Sequence, residues 1–370
     1  MLSVTSGLKV EAQGTFGSLL GEGAGLTAPE WDALLARSAC DVPFMTWQWQ
    51  ASWWQHFCQE NCTLHLLAIR EENGELIGIA PIFIALEPMP PLKEYVRGEL
   101  RPDGEGEARR IVRIVGGKDV ADYLDLLAPP ERLSAVWSSV LGYLQERTGE
   151  WDIIDVHSLP DFSPSRDLLQ GLCKEQGLNV RLFAEDVSPV LPLPGDWEAY
   201  LGSLRKKDRH ELRRKVRKLE GRDDVRWRLV PATDAAALQR GMQDFIDLHR
   251  QSGADKALFM TDYMASYFLD MASDLASTGW IDLAILDING EPASAYLSFA
   301  YKGRIYLYNS GYDPHFASYS AGVALLAYRI NKAIKQGYSA FDFLRGDEPY
   351  KYGFGAKDTF VYRAVIEKRK

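Results

Sequence analysis

Leu67-Ala68-Ile69-Arg70-Glu71-Glu72-Asn73-Gly74-Glu75 and Leu283-Ala284-Ile285-Leu286-Asp287-Ile288-Asn289-Gly290-Glu291 decide the fold. Each is an apolar run that meets Asn-Gly, and each leads into a second apolar run, at 76–84 and 293–300. Asn-Gly between apolar runs is a strong hairpin signal, because both turn residues accept a positive φ. One hairpin is therefore expected in each half of the chain.

The elements around the two hairpins follow one order. Before the first come a short helix at 29–37 and a second helix opened by Thr46, a suitable N-cap. After it come a loop at 88–106, a strand running into Gly116-Gly117, a helix at 133–147 and a strand at 151–156. A helix at 168–176, stopped by Gly177, and short strands at 180–183 and 190–193 complete that half. The second hairpin is preceded by a strand at 226–230 and helices at 234–250 and 262–276. It is followed by a strand at 304–310, a helix at 319–336 and strands from Phe341 and Thr359. Matched element order makes duplication of one unit the better explanation of the two similar hairpins. The fold class expected is α/β (α+β): two tandem domains, each a mixed, largely antiparallel sheet flanked by helices. The boundaries read as a flexible segment 1–25, an N-terminal domain 26–195, a basic linking helix 196–222 and a C-terminal domain 223–370.

Composition bounds the function. A chain of 370 residues suggests two cores. No apolar run approaches the roughly 20 residues of a membrane span, and no signal peptide is visible, so the cytoplasm is expected, with the inner membrane face as a peripheral option. Cys40, Cys58, Cys62 and Cys173 lack histidines at ligand spacing, so reduced thiols and no metal are expected. Trp47, Trp49, Trp53 and Trp54 line either a groove or, more often, a core. The net charge of −9 argues against general nucleic-acid binding.

Two stretches depart from that average. In a helix at 197–219, Leu201, Leu204, Leu212, Val216 and Leu219 form one stripe, surrounded by Arg205, Lys206, Lys207, Arg209, Arg213, Arg214, Lys215, Arg217 and Lys218. Either this face is simply solvated, or it meets an anionic partner: cofactor phosphates, a nucleotide-linked substrate, tRNA or an anionic membrane surface. The other stretch, Phe341-Asp342-Phe343-Leu344-Arg345-Gly346-Asp347-Glu348-Pro349-Tyr350-Lys351-Tyr352, starts as a buried strand and breaks at Gly346 into a dense polar turn. Such turns are where α/β folds hold reactive side chains. A carboxylate between two phenylalanines needs a partner, for which Arg345 and Lys351 are the nearest cations.

Taken together, the hairpin units resemble the GNAT acyltransferase fold, and their pairing resembles the FemAB-like superfamily. More closely, the chain is similar to the CelD/BcsL-type acetyltransferases associated with cellulose and polysaccharide synthesis. The resemblance is carried by Pro43-Phe44 with Trp49 and Trp53-Trp54, Gly78-Ile79-Ala80-Pro81, Asp122-Tyr123, the Leu204–Arg214 run, Leu248-His249-Arg250 and the turn beyond Phe341. It implies an acyltransferase whose donor is acetyl-CoA or another acyl-CoA, with a sugar, an envelope-polymer precursor or a small metabolite as acceptor. The donor's phosphates would lie at the helix start Ser318, Tyr319, Ser320 and Gly322, with Arg209 and Arg213 nearby. Small residues, free N–H groups and a helix dipole suit that role, although the serines serve equally as plain caps. The Arg/Gln-x-x-Gly-x-Gly/Ala signature is absent, and FemAB relatives use aminoacyl-tRNA instead of coenzyme A, which keeps that donor as the alternative. For chemistry the candidates are Asp342, Arg345, Lys351, Tyr350, His249 and Tyr308. Asp342 serves as base or as an ion-pair partner, and His249 as a proton carrier or a structural histidine. A ligand-binding protein without catalysis is the third reading.

Overall fold

A computed structural model describes residues 7–17, 25–58, 62–88, 108–117 and 120–369. The chain divides into two compact units, Met1–Val187 with Phe360–Lys370, and Ser188–Thr359.

The first unit opens with β1 (Leu8–Gln13), then α1 (Ala28–Leu35) and α2 (Trp47–Phe57). Strands β2 (Cys62–Glu71) and β3 (Leu76–Pro88) form the first hairpin, followed by β4 (Ala108–Ile114), α3 (Leu133–Gln145), β5 (Ile153–Pro160), α4 (Ser165–Glu175) and β6 (Leu178–Val187). The second unit holds β7 (Val190–Pro192), α5 (Trp197–Ser203), α6 (Lys206–Leu219), β8 (Val225–Leu229), α7 (Ala235–Gln251), α8 (Ala254–Phe259) and α9 (Asp262–Leu275). Its hairpin is β9 (Ile281–Ile288) and β10 (Glu291–Tyr301), followed by β11 (Arg304–Tyr312), α10 (Ala321–Lys335), β12 (Ala340–Asp342) and α11 (Pro349–Gly353). The final strand, β13 (Phe360–Lys368), returns to the first unit.

The two sheets run β1-β2-β3-β4-β5-β13-β6 and β7-β12-β11-β10-β9-β8. Both are antiparallel except where β4 meets β5 and β11 meets β12 in parallel. The order β1 to β5 thus recurs as β8 to β12, which is the repeat foreseen from the hairpins. Beside β5, however, lies β13, and beside β12 lies β7. The strand that precedes the second unit's helices is the one that completes its sheet, and the strand that follows them completes the first unit's sheet. Arg363 fastens β13 in place, with Nε and Nη2 donating to Asp155 at 2.7 and 2.8 Å; both side chains are buried. His157 adds a contact from Nε2 to Asp155 at 2.9 Å.

Several expectations change. Leu8–Gln13, read as part of a flexible lead-in, pairs in register with β2. The loop read at 88–106 lies almost entirely outside the described residues. The basic helix breaks at Leu204, whose extended backbone separates α5 from α6 (ψ 149°). α6 then buries Leu212 and Leu219 in the second unit's core instead of linking domains. Both turn residues of the second hairpin have positive φ (Asn289 56°, Gly290 81°), but in the first only Gly74 does (87°). There Asn73 accepts a hydrogen bond from Glu75 N at 2.9 Å instead. Trp47, Trp49 and Trp53 are core residues.

Candidate active site

The second unit is built around an opening in its sheet. β11 and β12 pair only over Arg304–Tyr306 and Ala340–Asp342. β12 then ends while β11 runs on to Tyr312, so no strand among the described residues pairs with that edge of 307–312. A bulge at Tyr308, where Leu297 faces Asn309 but Ser298 faces Leu307, bends β11 at the same place. Side chains take over part of that edge: Ser310 N donates to Asn309 Oδ1 (2.8 Å), Tyr312 N donates to Ser252 Oγ (2.8 Å), and Tyr312 O accepts from Ser252 Oγ (3.3 Å). Only the part of β11 before Ser310 therefore offers a strand edge to an extended ligand.

The turn after β12 forms one wall. Leu344 holds a left-handed φ of 55° and Gly346 one of 107°, a conformation a branched residue adopts only under constraint. The constraint is visible. Asp342 Oδ1 accepts from Leu344 N at 2.9 Å. Lys351 Nζ donates to the carbonyls of Leu344 (3.2 Å), Arg345 (2.7 Å) and Gly346 (2.8 Å) and pairs with Glu348 at 2.9 Å. Lys351 is only 2% exposed. An ammonium with three donors given to three carbonyls has none left for a phosphate or an oxyanion. The expectation that Lys351 partners Asp342 is therefore replaced: the lysine clamps the turn. Tyr350 follows on α11, and burial, with the nearby Tyr296 and Glu348, holds its phenol well above the ordinary tyrosine range.

The N-terminus of α10 forms another part. Ser320, left-handed at φ 56°, stands at the N-cap position without a side-chain cap bond, so the plain capping role does not apply. The first N–H groups of α10 have no cap from that side chain, a favourable place for an anion. Tyr296 donates its hydroxyl to Gly322 O at 3.2 Å, tying β10 to this helix start. Lys218 donates to Ser318 O. The Tyr319 ring lies between Lys218 (5.7 Å) and Arg222 (5.2 Å), and Arg222 also grips Asp224. Arg209 and Arg213 are elsewhere. Arg213 pairs with Glu198 at 2.8 Å, and Arg209 leans on the carbonyls of Leu201 and Gly202. The cations that meet α10 come from the far end of the basic run, because α6 crosses α10 there; period alone did not say which turn of the helix would arrive.

Across β11, the opposite sheet face carries α7, α8 and α9. His249, 2% exposed, sits between Phe245 (5.8 Å) and Phe259 (5.9 Å), and its Nδ1 lacks a hydrogen-bond partner. Burial, aided by Lys256, pulls its pKa down to about 4, so the imidazole is neutral at pH 7. Gly311 permits this approach, since a Cβ there would stand 2.4 Å from His249 N. Tyr308 stacks on Phe268 at 5.6 Å. Of the sequence-predicted residues, Gly322 is tied to β10 by Tyr296, Tyr350 packs on Phe343 (6.1 Å), and His249 and Tyr308 line the α7–α9 side. Asp342 and Lys351 shape the turn.

Residues 206–352 match the family model "Acetyltransferase (GNAT) domain". The match is to this segment, less than half of the chain. It spans α6 to α11, and with it every predicted site residue, and it makes the chain an acyltransferase. Among solved structures, the chain is similar to FemX (12% identity, TM-score 0.64, 92% of this chain and 96% of that one). It is also similar to L-PGS from Bacillus licheniformis (12%, 0.53, 94% and 95%). A tandem GNAT protein from the clavulanic acid biosynthesis pathway matches at 10% identity, TM-score 0.51, over 98% and 99%. At these identities the likeness is one of fold, and it extends over both units. No curated protein matches the chain by sequence. No described helix is long and apolar enough to cross a membrane. Among the described residues no group of three or more His, Cys, Asp or Glu is placed to hold a metal.

Proposed function

We propose that the second unit transfers an acyl group from acyl-CoA to an amine or hydroxyl of a sugar, an envelope-polymer precursor or a small metabolite. The observation that carries this reading is the opening between β11 and β12 beside the uncapped start of α10. Those residues fit the donor. The N–H groups of Ala321 and Gly322 and the ammonium of Lys218 would take its pyrophosphate, and the stretch of β11 before Ser310 its amide-bearing arm. In the reaction the acceptor nitrogen or oxygen bonds to the acyl carbon, the carbon–sulfur bond breaks, and the departing thiolate needs a proton. Tyr350, protonated throughout the neutral range, suits that donation. The acceptor's proton goes to neutral His249 or to solvent, and Arg345 is assigned to the developing oxyanion. Bound acetyl-CoA, detected by calorimetry and turned over with release of free thiol, tests the reading.

The basic face of α6 and the FemAB-like resemblance favour a second reading, aminoacyl-tRNA as donor. Lys206, Lys207 and Arg217 have no ion-pair partner within α6 or its surroundings among the described residues. Retention of charged tRNA that falls steeply with salt supports this donor; retention of acyl-CoA alone rejects it.

A further inference from the structure

We infer that Lys256 selects acceptors that carry an anionic group, a carboxylate or a phosphate, beside the nucleophile. The inference rests on the acyltransfer reading of the second unit. α8 fully buries none of its own residues, and only its last, Phe259, packs on rings, those of His249 and Phe268. One of its side chains nevertheless turns inward: Lys256 Nζ donates to Ser310 O at 2.5 Å and to Ser310 Oγ at 3.1 Å, on the part of β11 that β12 has left. An ammonium has three donors, so one remains. No carboxylate lies within ion-pair distance of it among the described residues. Glu348, whose charge still reaches Lys256 from the turn after β12, is committed to Lys351. Lys256 therefore stands between β11 and that turn, partly desolvated and short of a counter-ion. This state is costly until an anion arrives.

Two further features mark the place as an acceptor site. His249 is next to it, with Nδ1 unpartnered in a closed aromatic setting. The imidazole is hydrogen-bonded to the Asn309 side chain and the Lys256 backbone, which ties it to α8 and to the same part of β11. Two residues beyond Ser310 on β11, Tyr312 is 43% exposed and offers a rim there. This rim suits the apolar or ring portion of an acceptor. The acceptor class is thus an amino or hydroxy compound with a negative charge at one end and a ring or hydrocarbon body.

The test uses the full chain with acetyl-CoA and matched acceptor pairs: phenylalanine against phenethylamine, and glucosamine 6-phosphate against glucosamine. Thiol release gives kcat and KM for each. The anionic member of a pair is expected to lead in kcat/KM by about tenfold or more, through KM. Which pair shows the lead separates carboxylate from phosphate. Lys256→Met should erase the lead while leaving the neutral member within about twofold, and Lys256→Arg should restore part of it. Equal rates within both pairs, or an equal loss for charged and neutral members in Lys256→Met, overturn the inference while leaving acyl transfer standing. If no acceptor turns over, labelling of Lys256 by trinitrobenzenesulfonate, mapped by mass spectrometry, decides. Protection by acetate or inorganic phosphate supports the anion site even where the acyltransfer reading fails. Labelling unchanged by either anion removes it.

Discussion

Replacing Lys351 with methionine separates a clamp from a catalyst. The methionine keeps most of the chain volume but deletes an ammonium that serves three carbonyls at 2.7 to 3.2 Å and one carboxylate at 2.9 Å. Hydrogen bonds to a charged donor are worth about 1.5–3 kcal/mol each, and buried acceptors left without partners cost in addition. Three such losses do not add fully, since the turn relaxes and water reaches Arg345 O and Gly346 O, which are only part-buried. A loss of about 3–5 kcal/mol is expected, in line with breaking a buried charged contact. Left-handed Leu344 would lose the contact that fixes its carbonyl. Urea unfolding of the second unit should shift to a lower midpoint, and amide exchange across 344–354 should rise before that of α10. Activity should fall together with this local order, and Lys351→Arg should recover little, because a planar fork does not match three converging carbonyls. A variant with unchanged unfolding and unchanged exchange but a selective fall in kcat would refute the clamp and return Lys351 to the chemistry.

Arg363→Met should destabilise the first unit by about 3–5 kcal/mol, read by denaturant unfolding, because it strips a buried carboxylate of its bidentate partner. A chain ending at residue 359 should lose that unit's cooperative transition, since β13 lies between β5 and β6. Burial raises the Asp125 carboxyl to about 6 from 3.8, against the hydroxyls of Ser163 and Ser165 that lower it. Its contribution is complete below the unfolded value and is lost as pH climbs through about 6, a cost of about 3 kcal/mol at pH 7. Asp125→Asn should therefore stabilise at pH 7 and flatten the melting profile between about 4 and 6. His249 has the opposite sign. Its folded pKa of about 4 lies below the ordinary 6.5, so its contribution is present above 6.5 and lost as pH falls toward 4, by about 3 kcal/mol. His249→Gln should remove that acid-side loss, and if the imidazole takes the acceptor's proton, kcat should also drop about 10²–10⁴-fold.

What could be read in advance follows from how local each signal is. The hairpins at Gly74 and Gly290, the stop at Gly337 and the helix begun at Thr46 depend on neighbours in sequence, and all are found. The destinations of β7 and β13 were not legible, because an apolar strand carries no label for the sheet it will join. The polar turn beyond Phe341 was legible as a cluster, but not the parts played within it. A buried lysine such as Lys351 reads like an exposed one until its carbonyl partners are known. Lys256 was missed because α8 is a six-residue helix with no apolar stripe, and its partner Ser310 is remote in sequence. Lys218 and Arg222 were overlooked in favour of Arg209 and Arg213, since choosing among equivalent turns of α6 requires the crossing with α10.

The central claim is that the start of α10, with Lys218 and Arg222 beside Tyr319, receives the phosphate end of an acyl donor. Calorimetric titration of acetyl-CoA into the full chain tests it most directly, with Lys218→Ala/Arg222→Ala measured alongside. One site per chain is expected, weakened about tenfold or more in the double variant and progressively weakened by added salt. No binding to the unaltered protein, or equal binding to both, would contradict the claim.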